Sequence, residues 1–268
     1  MGRIEEKFCE LKGKKEKALI AFISAGDPDI ETTKSLILEM EKGGADIIEI
    51  GVPFSDPLAD GPVIQKSYLR ALKRKTSLRK IIGMAKELRS KTQIPIVLMS
   101  SYNPIFRYGE NKFVNDAVMA GIDGIIIPDL PPEESYNLCG LSEKKGLDTI
   151  FLLAPTSDKE RMKLICNRSR GFAYYISVTG ITGMRKSLSS DIKGMVKKIK
   201  RFTKLPMAVG FGISKPEQAR EIARYSDGII VGSAIVKIIE EFGGSKKRLI
   251  KEVGNFISEL KSAISFHR

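Results

Sequence analysis

The sequence predicts an α/β fold, a single (β/α)8 or TIM barrel, and three observations predict it. Eight short apolar runs recur along the chain, rich in Ile, Val and Leu and lacking polar alternation, as strands covered on both faces do. A helical pattern follows each run. The length, 268 residues, is ordinary for an undivided barrel, so residues 1–268 are read as one domain.

The elements follow in order. The leading segment RIEEKFCELKG reads as an extra N-terminal helix, placed to plug the barrel's lower mouth. ALIAFISAG (18–26) is the first strand; IETTKSLILEMEKGG after it begins behind an Asp-Pro-Asp cap signal and ends at Gly-Gly. DIIEIGVP (46–53) is the second. The connection from Gly51 to Ile94 is long enough for an additional helix between strands 2 and 3. IPIVLMSS (94–101), DGIIIPDL (123–130), DTIFLLAP (148–155) and FAYYISV (172–178) are the third to sixth. PMAVGFG (206–212) is the seventh, and in SKPEQAREIARY behind it Ser214 and Glu217 form a capping box with Pro216 in the first turn. DGIIVGS (227–233) is the eighth.

Composition narrows the function. The opening residues lack the apolar stretch and cleavage site of a secretory signal, and no apolar run approaches the roughly 18 residues of a membrane span. Cys9, Cys139 and Cys166 are odd in number and without CxxC spacing, which leads us to expect reduced thiols in a cytoplasm. The one histidine, His267, stands at the C-terminal end, which removes Ser-His-Asp, Cys-His and His-ligated metal chemistry. The net charge of +13 lies in clusters such as ALKRKTSLRK and MVKKIKRFTK, spread over helical segments and mixed with acids. These read as solvated helix faces rather than a nucleic-acid surface.

Working residues of a barrel gather at the carboxyl ends of its strands. The polar residues there are Asp27, Glu49, Asp60, Asn103, Asp129, Thr156, Tyr174 and Tyr175. The loops GFGISK and GSAIVK let backbone N–H groups approach an anion, so Gly212, Gly232 and Ser233 make a candidate phosphate cradle; the alternative is plain tight turns. The loop from Thr179 to Ser189, containing Thr182 and Gly183, has the length and composition of a lid; an ordinary disordered surface loop is the alternative. Glu49, flanked by Ile47, Ile48 and Ile50, is poorly solvated, so its pKa rises and it suits general acid/base work; a structural Glu paired with a buried cation is the competing reading. Asp60 either accepts a hydrogen bond from a substrate N–H or caps the helix starting at Gly61.

The stretch IEIGVPFSDPLADGPVIQ, followed by SYNPIFRYG, GIIIPDLPPEES, TGITG, GFGIS and VGSAIVKIIE, resembles the tryptophan synthase α subunit family from about Phe8 through the last helix. The resemblance implies a barrel lyase that cleaves indole-3-glycerol phosphate to indole and glyceraldehyde 3-phosphate. It implies that Glu49 is the acid/base, that Asp60 holds the indole N–H, and that Gly183, Gly212, Gly232 and Ser233 bind phosphate beside a lid containing Thr182. Tyr174 is implied beside the acid, and Phe22, Ile64 and Phe211 as the wall of the indole site. The segment Pro53 to Pro57, with Asp56, and the strand-3 loop at Asn103 are implied to face a β subunit. In the implied αββα assembly, pyridoxal phosphate belongs to that partner, and this chain takes no cofactor or metal of its own.

The chemistry agrees. Retro-aldol cleavage needs an electron sink, normally a metal or a lysine Schiff base, yet no metal cluster is evident and no Lys lies in a strand run. The substrate's own indole, protonated at C3, can serve. Ser100 and Ser101 depart from the bulkier residues frequent before Tyr-Asn-Pro in the family, and so bear on pocket and partner contact. A sugar-phosphate isomerase and a non-catalytic activating subunit are the competing functions.

Overall fold

The computed structural model describes residues 1–57, 59–177, 185–210 and 212–265, with the backbone alone for 185–190. Its strands are β1 (Ala18–Ser24), β2 (Ile47–Gly51), β3 (Ile96–Met99), β4 (Gly124–Ile126), β5 (Asp148–Ile150), β6 (Leu152–Leu153), β7 (Ala173–Ile176), β8 (Met207–Gly210) and β9 (Gly228–Val231). All pairings are parallel, in the order β5-β4-β3-β2-β1-β9-β8-β7-β6. The two ends of that order, β5 and β6, are halves of the fifth apolar run, separated by Phe151 alone. The sheet therefore closes on itself as a (β/α)8 barrel. β5 pairs with β4, β6 pairs with β7, and the Phe151 N–H freed at the break donates to Ser169 Oγ at 3.2 Å.

Both faces of the barrel wall are apolar, and this hides a period of two. Leu19, Ala21 and Ile23 of β1 pack in the outer core under the helices, whereas Ala18 and Ile20 join the inner one. The N-terminal helix α1 (Arg3–Gly13) inserts Ile4, Phe8 and Leu11 into that inner cluster from below, with Phe8 and Phe172 ring centroids 5.9 Å apart. It plugs the lower mouth as its sequence predicts.

Helix α2 (Ile30–Lys42) starts at Asp29, whose side chain accepts the Thr32 N–H at 2.7 Å. α3 (Pro62–Lys73) and α4 (Leu78–Leu88) fill the long second connection, the former as the predicted additional helix. The segment read as a strand-3 loop instead forms a short helix, α5 (Tyr102–Tyr108), divided from α6 (Glu110–Met119) by Gly109 at φ +88°. Then come α7 (Tyr136–Lys145), α8 (Lys159–Arg168), α9 (Arg185–Ile199), α10 (Pro216–Ala223), α11 (Ser233–Phe242) and α12 (Lys246–Ile264). The cap of α10 falls one residue later than its sequence signal. Lys215 is the N-cap, and Gln218 Oε1 accepts both the Lys215 and Ser214 N–H groups, so the pairing of Ser214 with Glu217 does not form. No helix among the described residues is long and apolar enough to cross a membrane.

The lower rim is held by a repeated device. Asp46, Asp123 and Asp227 each stand one residue before a strand and accept an N–H from the adjoining strand: Leu19 at 2.7 Å, Ile96 at 2.8 Å and Met207 at 2.9 Å. Each carboxylate also meets a cation, namely Lys261, Arg89 with Arg3, and Lys200. A charged acceptor aimed at a backbone donor is among the stronger hydrogen bonds a fold can make.

Candidate active site

At the opposite mouth a cavity of about 220 Å³ opens among the strand ends. Outward Ile48 and Ile50 force Glu49 inward by strand alternation, beside Phe22 on β1. The residue is 1 % exposed, and its Oε2 has no hydrogen-bond partner among the described residues. Burial, and then the nearby Asp60 charge, push its pKa up to about 8. Among the described residues no ion pair to Glu49 forms.

Asp60 reaches the same cavity from the loop before α3. The N-cap of α3 is Gly61, with no side-chain cap, and Pro62 stands at the first helical position. Asp60 therefore does not cap the helix; its backbone carbonyl accepts from Gln65 Nε2 at 2.8 Å, leaving the carboxylate to the cavity. Burial, with Asp129 adding repulsion, raises its pKa to about 6.

Phe22, Ile64 and Tyr174 line the cavity. Gly212, Gly232 and Ser233 border it as well. Gly232 is the N-cap of α11 and offers no side chain, so the first N–H groups of that helix are left for another acceptor. Phe211, Thr182 and Gly183 lie outside the described residues, as does His267.

Several lining residues escaped the sequence reading. Met99, Ile176, Gly210 and Ile230 project inward by strand alternation alone. Buried Tyr68 comes from α3, one turn beyond Ile64, and its hydroxyl lies over Gly51, where an added Cβ would sit 2.7 Å from it. The i, i+4 spacing of Ile64 and Tyr68 was the available signal.

The remaining candidates are placed elsewhere. Tyr175 points out into the helix-facing core, Thr156 is exposed, and Asp27 is committed to Arg70. Asp129 accepts the Tyr102 N–H at 2.9 Å. Asp56 and Asn103 are exposed on the same rim, while Pro53 and Pro57 are buried behind the loop. Two larger clefts, about 660 and 480 Å³, lie beneath α1 at the other end and contain none of these groups.

Carboxyl groups held at different pKa values in an apolar cavity, at the carboxyl ends of barrel strands, define a (β/α)8-barrel enzyme. The family described as tryptophan synthase alpha chain matches residues 8–265. The tryptophan synthase alpha chain of Geotalea daltonii is 52 % identical over 265 residues, covering 99 % of this chain and all of the relative. The solved tryptophan synthase subunit alpha of Legionella pneumophila superposes with a TM-score of 0.92 at 39 % identity, covering 98 % of each chain. A tryptophan synthase structure from M. tuberculosis gives 0.89 at 32 % identity over 99 % of each. The chain belongs to the tryptophan synthase alpha chain family, and it is an enzyme of tryptophan synthesis.

Proposed function

We propose that the chain is a carbon–carbon lyase that cleaves indole-3-glycerol phosphate to indole and glyceraldehyde 3-phosphate. The observation that carries this reading is the buried Glu49 carboxyl, with no partner at Oε2 among the described residues, opening into a cavity also bordered by the uncapped start of α11. With a pKa of about 8, Glu49 is protonated at neutral pH and is the acid; Asp60, at about 6, is ionised there and is the anion.

The ring lies against Phe22, Ile64 and Tyr174 with its N–H donated to Asp60, and the phosphate takes the N–H groups at Gly212, Gly232 and Ser233. Glu49 delivers its proton to indole C3, and Asp60 offsets the positive charge that reaches the ring nitrogen. The bond from C3 to the side chain then breaks, its electrons returning to the ring. The adjacent hydroxyl yields its proton to the Glu49 carboxylate and becomes the aldehyde. One proton is given and one regained, so Glu49 ends as it began. Thr182 and Gly183 close the phosphate end in this reading, and Phe211 completes the ring wall.

The partner is a β subunit in an αββα assembly that carries pyridoxal phosphate, with this chain working as one cytoplasmic domain over residues 1–268 and binding no cofactor itself. Asp56 and Asn103 offer the docking rim, with Pro53 and Pro57 stiffening it from behind. Phe106, 65 % exposed on α5 one turn beyond Asn103, supports a protein partner there.

Glu49→Gln tests the reading. The variant folds and loses about 10²–10⁴ in kcat, as removal of an acid/base does. Indole release from indole-3-glycerol phosphate at near wild-type turnover refutes the assignment.

A further inference from the structure

Asp27 stood among the candidate site residues because it follows strand β1, yet it does not line the cavity. It is 1 % exposed and ion-paired on both oxygens: Arg70 Nε donates to Oδ1 at 2.9 Å and Nη2 to Oδ2 at 2.7 Å. The third donor of the same guanidinium, Nη1, reaches Glu240 Oε1 at 3.0 Å. One side chain thus joins three elements, the loop after β1, helix α3 and helix α11.

The three elements carry the two ends of the site. α3 begins directly behind Asp60 and supplies Ile64 to the ring wall. α11 begins at Ser233, and Glu240 lies seven residues on, two turns along the same face. Between them Phe22, Ile64, Tyr68 and Val236 form one small apolar cluster. Apolar contact is non-directional and fixes neither helix along its axis. The planar fork of Arg70 does, because bidentate geometry fixes orientation as well as distance.

We infer that Arg70 is a positioning residue, which holds the Asp60 end of the site at a set span from the phosphate end at Ser233. The inference rests on the lyase reading, in which a single substrate reaches both ends at once. Each half-site is built from its own element and survives without Arg70; the distance between them does not. A substrate spanning both ends is therefore sensitive to Arg70, while separate fragments are not.

The test uses the full chain and three variants, Arg70→Lys, Arg70→Met and Glu240→Gln, with indole and inorganic phosphate as fragment probes. The expected result is a fall in kcat/KM for indole-3-glycerol phosphate of about tenfold in Arg70→Lys and about 100-fold in Arg70→Met, the scale of a misplacement near 1 Å. Glu240→Gln, which removes only the α11 arm, falls by several-fold in the same direction. The inhibition constants of indole and of phosphate stay within twofold of wild type throughout. Should Arg70→Met not fold, Arg70→Lys and Glu240→Gln carry the comparison. A kcat/KM within twofold of wild type in those two overturns the inference. So does a loss of fragment affinity equal to the loss for the whole substrate, which marks a merely structural residue. A wild-type chain that binds both fragments and cleaves nothing overturns the lyase reading alone, and the span is then read from the variants' affinity for the uncleaved substrate.

Discussion

Glu49 and Asp60 are both carboxylic acids, and their surroundings separate them. Glu49 is enclosed on a strand between isoleucines, while Asp60 sits on a partly exposed loop. Their pKa values of about 8 and about 6 bracket neutrality, so one is an acid and the other an anion over that interval. The profile of kcat/KM against pH is accordingly bell-shaped, with limbs near those two values. The substrate phosphate also titrates near 6. Asp60→Asn separates the two: its residual activity keeps the basic limb, and an acid limb of unchanged depth assigns that limb to the phosphate instead. At this scale much was legible. An ionisable residue in an otherwise apolar run is visible without coordinates, because burial is implied by its neighbours. Arg70 was not, since nothing on its own helix marks it; its partners Asp27 and Glu240 are 43 and 170 residues away in sequence.

Among the elements, the strands were the most legible, because a wall buried on both faces must be a continuous apolar run. The break at Phe151 was hidden for the same reason: leaving the ladder for one residue changes no hydrophobicity, and Ser169 satisfies the freed donor from a distant segment. Helix α5 was misread as loop because Pro104 and the closing Gly109 dominate its sequence, although proline is tolerated in a first turn. The helix of the plug was legible in RIEEKFCELKG, while the face it buries, Ile4, Phe8 and Leu11, emerges with the structure. Its energetic weight can be measured. Phe8 is buried against Phe172, so Phe8→Ala destabilises the chain by about 3–5 kcal/mol in denaturant titration while leaving kcat unchanged. A loss below about 1 kcal/mol would show that α1 merely rests on the barrel.

The molecule as a whole divides its labour between the two ends of one barrel, and the division has opposite thermodynamic signs. At the lower rim, Asp123 is satisfied by a strand N–H and two arginines. Removing it takes the ion-pair partner from half-buried Arg89, which keeps the Gly121 and Ile94 carbonyls, and leaves the Ile96 N–H without its acceptor, so Asp123→Ala costs about 1–3 kcal/mol at pH 7. At the upper mouth, Glu49 carries a folded pKa raised from 4.5 to about 8. Below about pH 4.5 it is protonated whether the chain is folded or not. Above that, the unfolded chain releases the proton and the folded chain keeps it, so stability falls with rising pH until the folded group ionises too. The slope is at most about 1.4 kcal/mol per pH unit, or roughly 3 kcal/mol between pH 4.5 and pH 7. Glu49→Gln has no such titration. Its stability relative to wild type therefore climbs with pH across that window, even as its activity is lost, whereas Asp123→Ala loses stability and keeps kcat. Denaturant midpoints of both variants at pH 4.5 and pH 7, beside their turnover, measure this. A Glu49→Gln stability difference that does not change with pH means the carboxyl is solvated, and the acid proposed for the reaction is then no stronger a candidate than any surface glutamate.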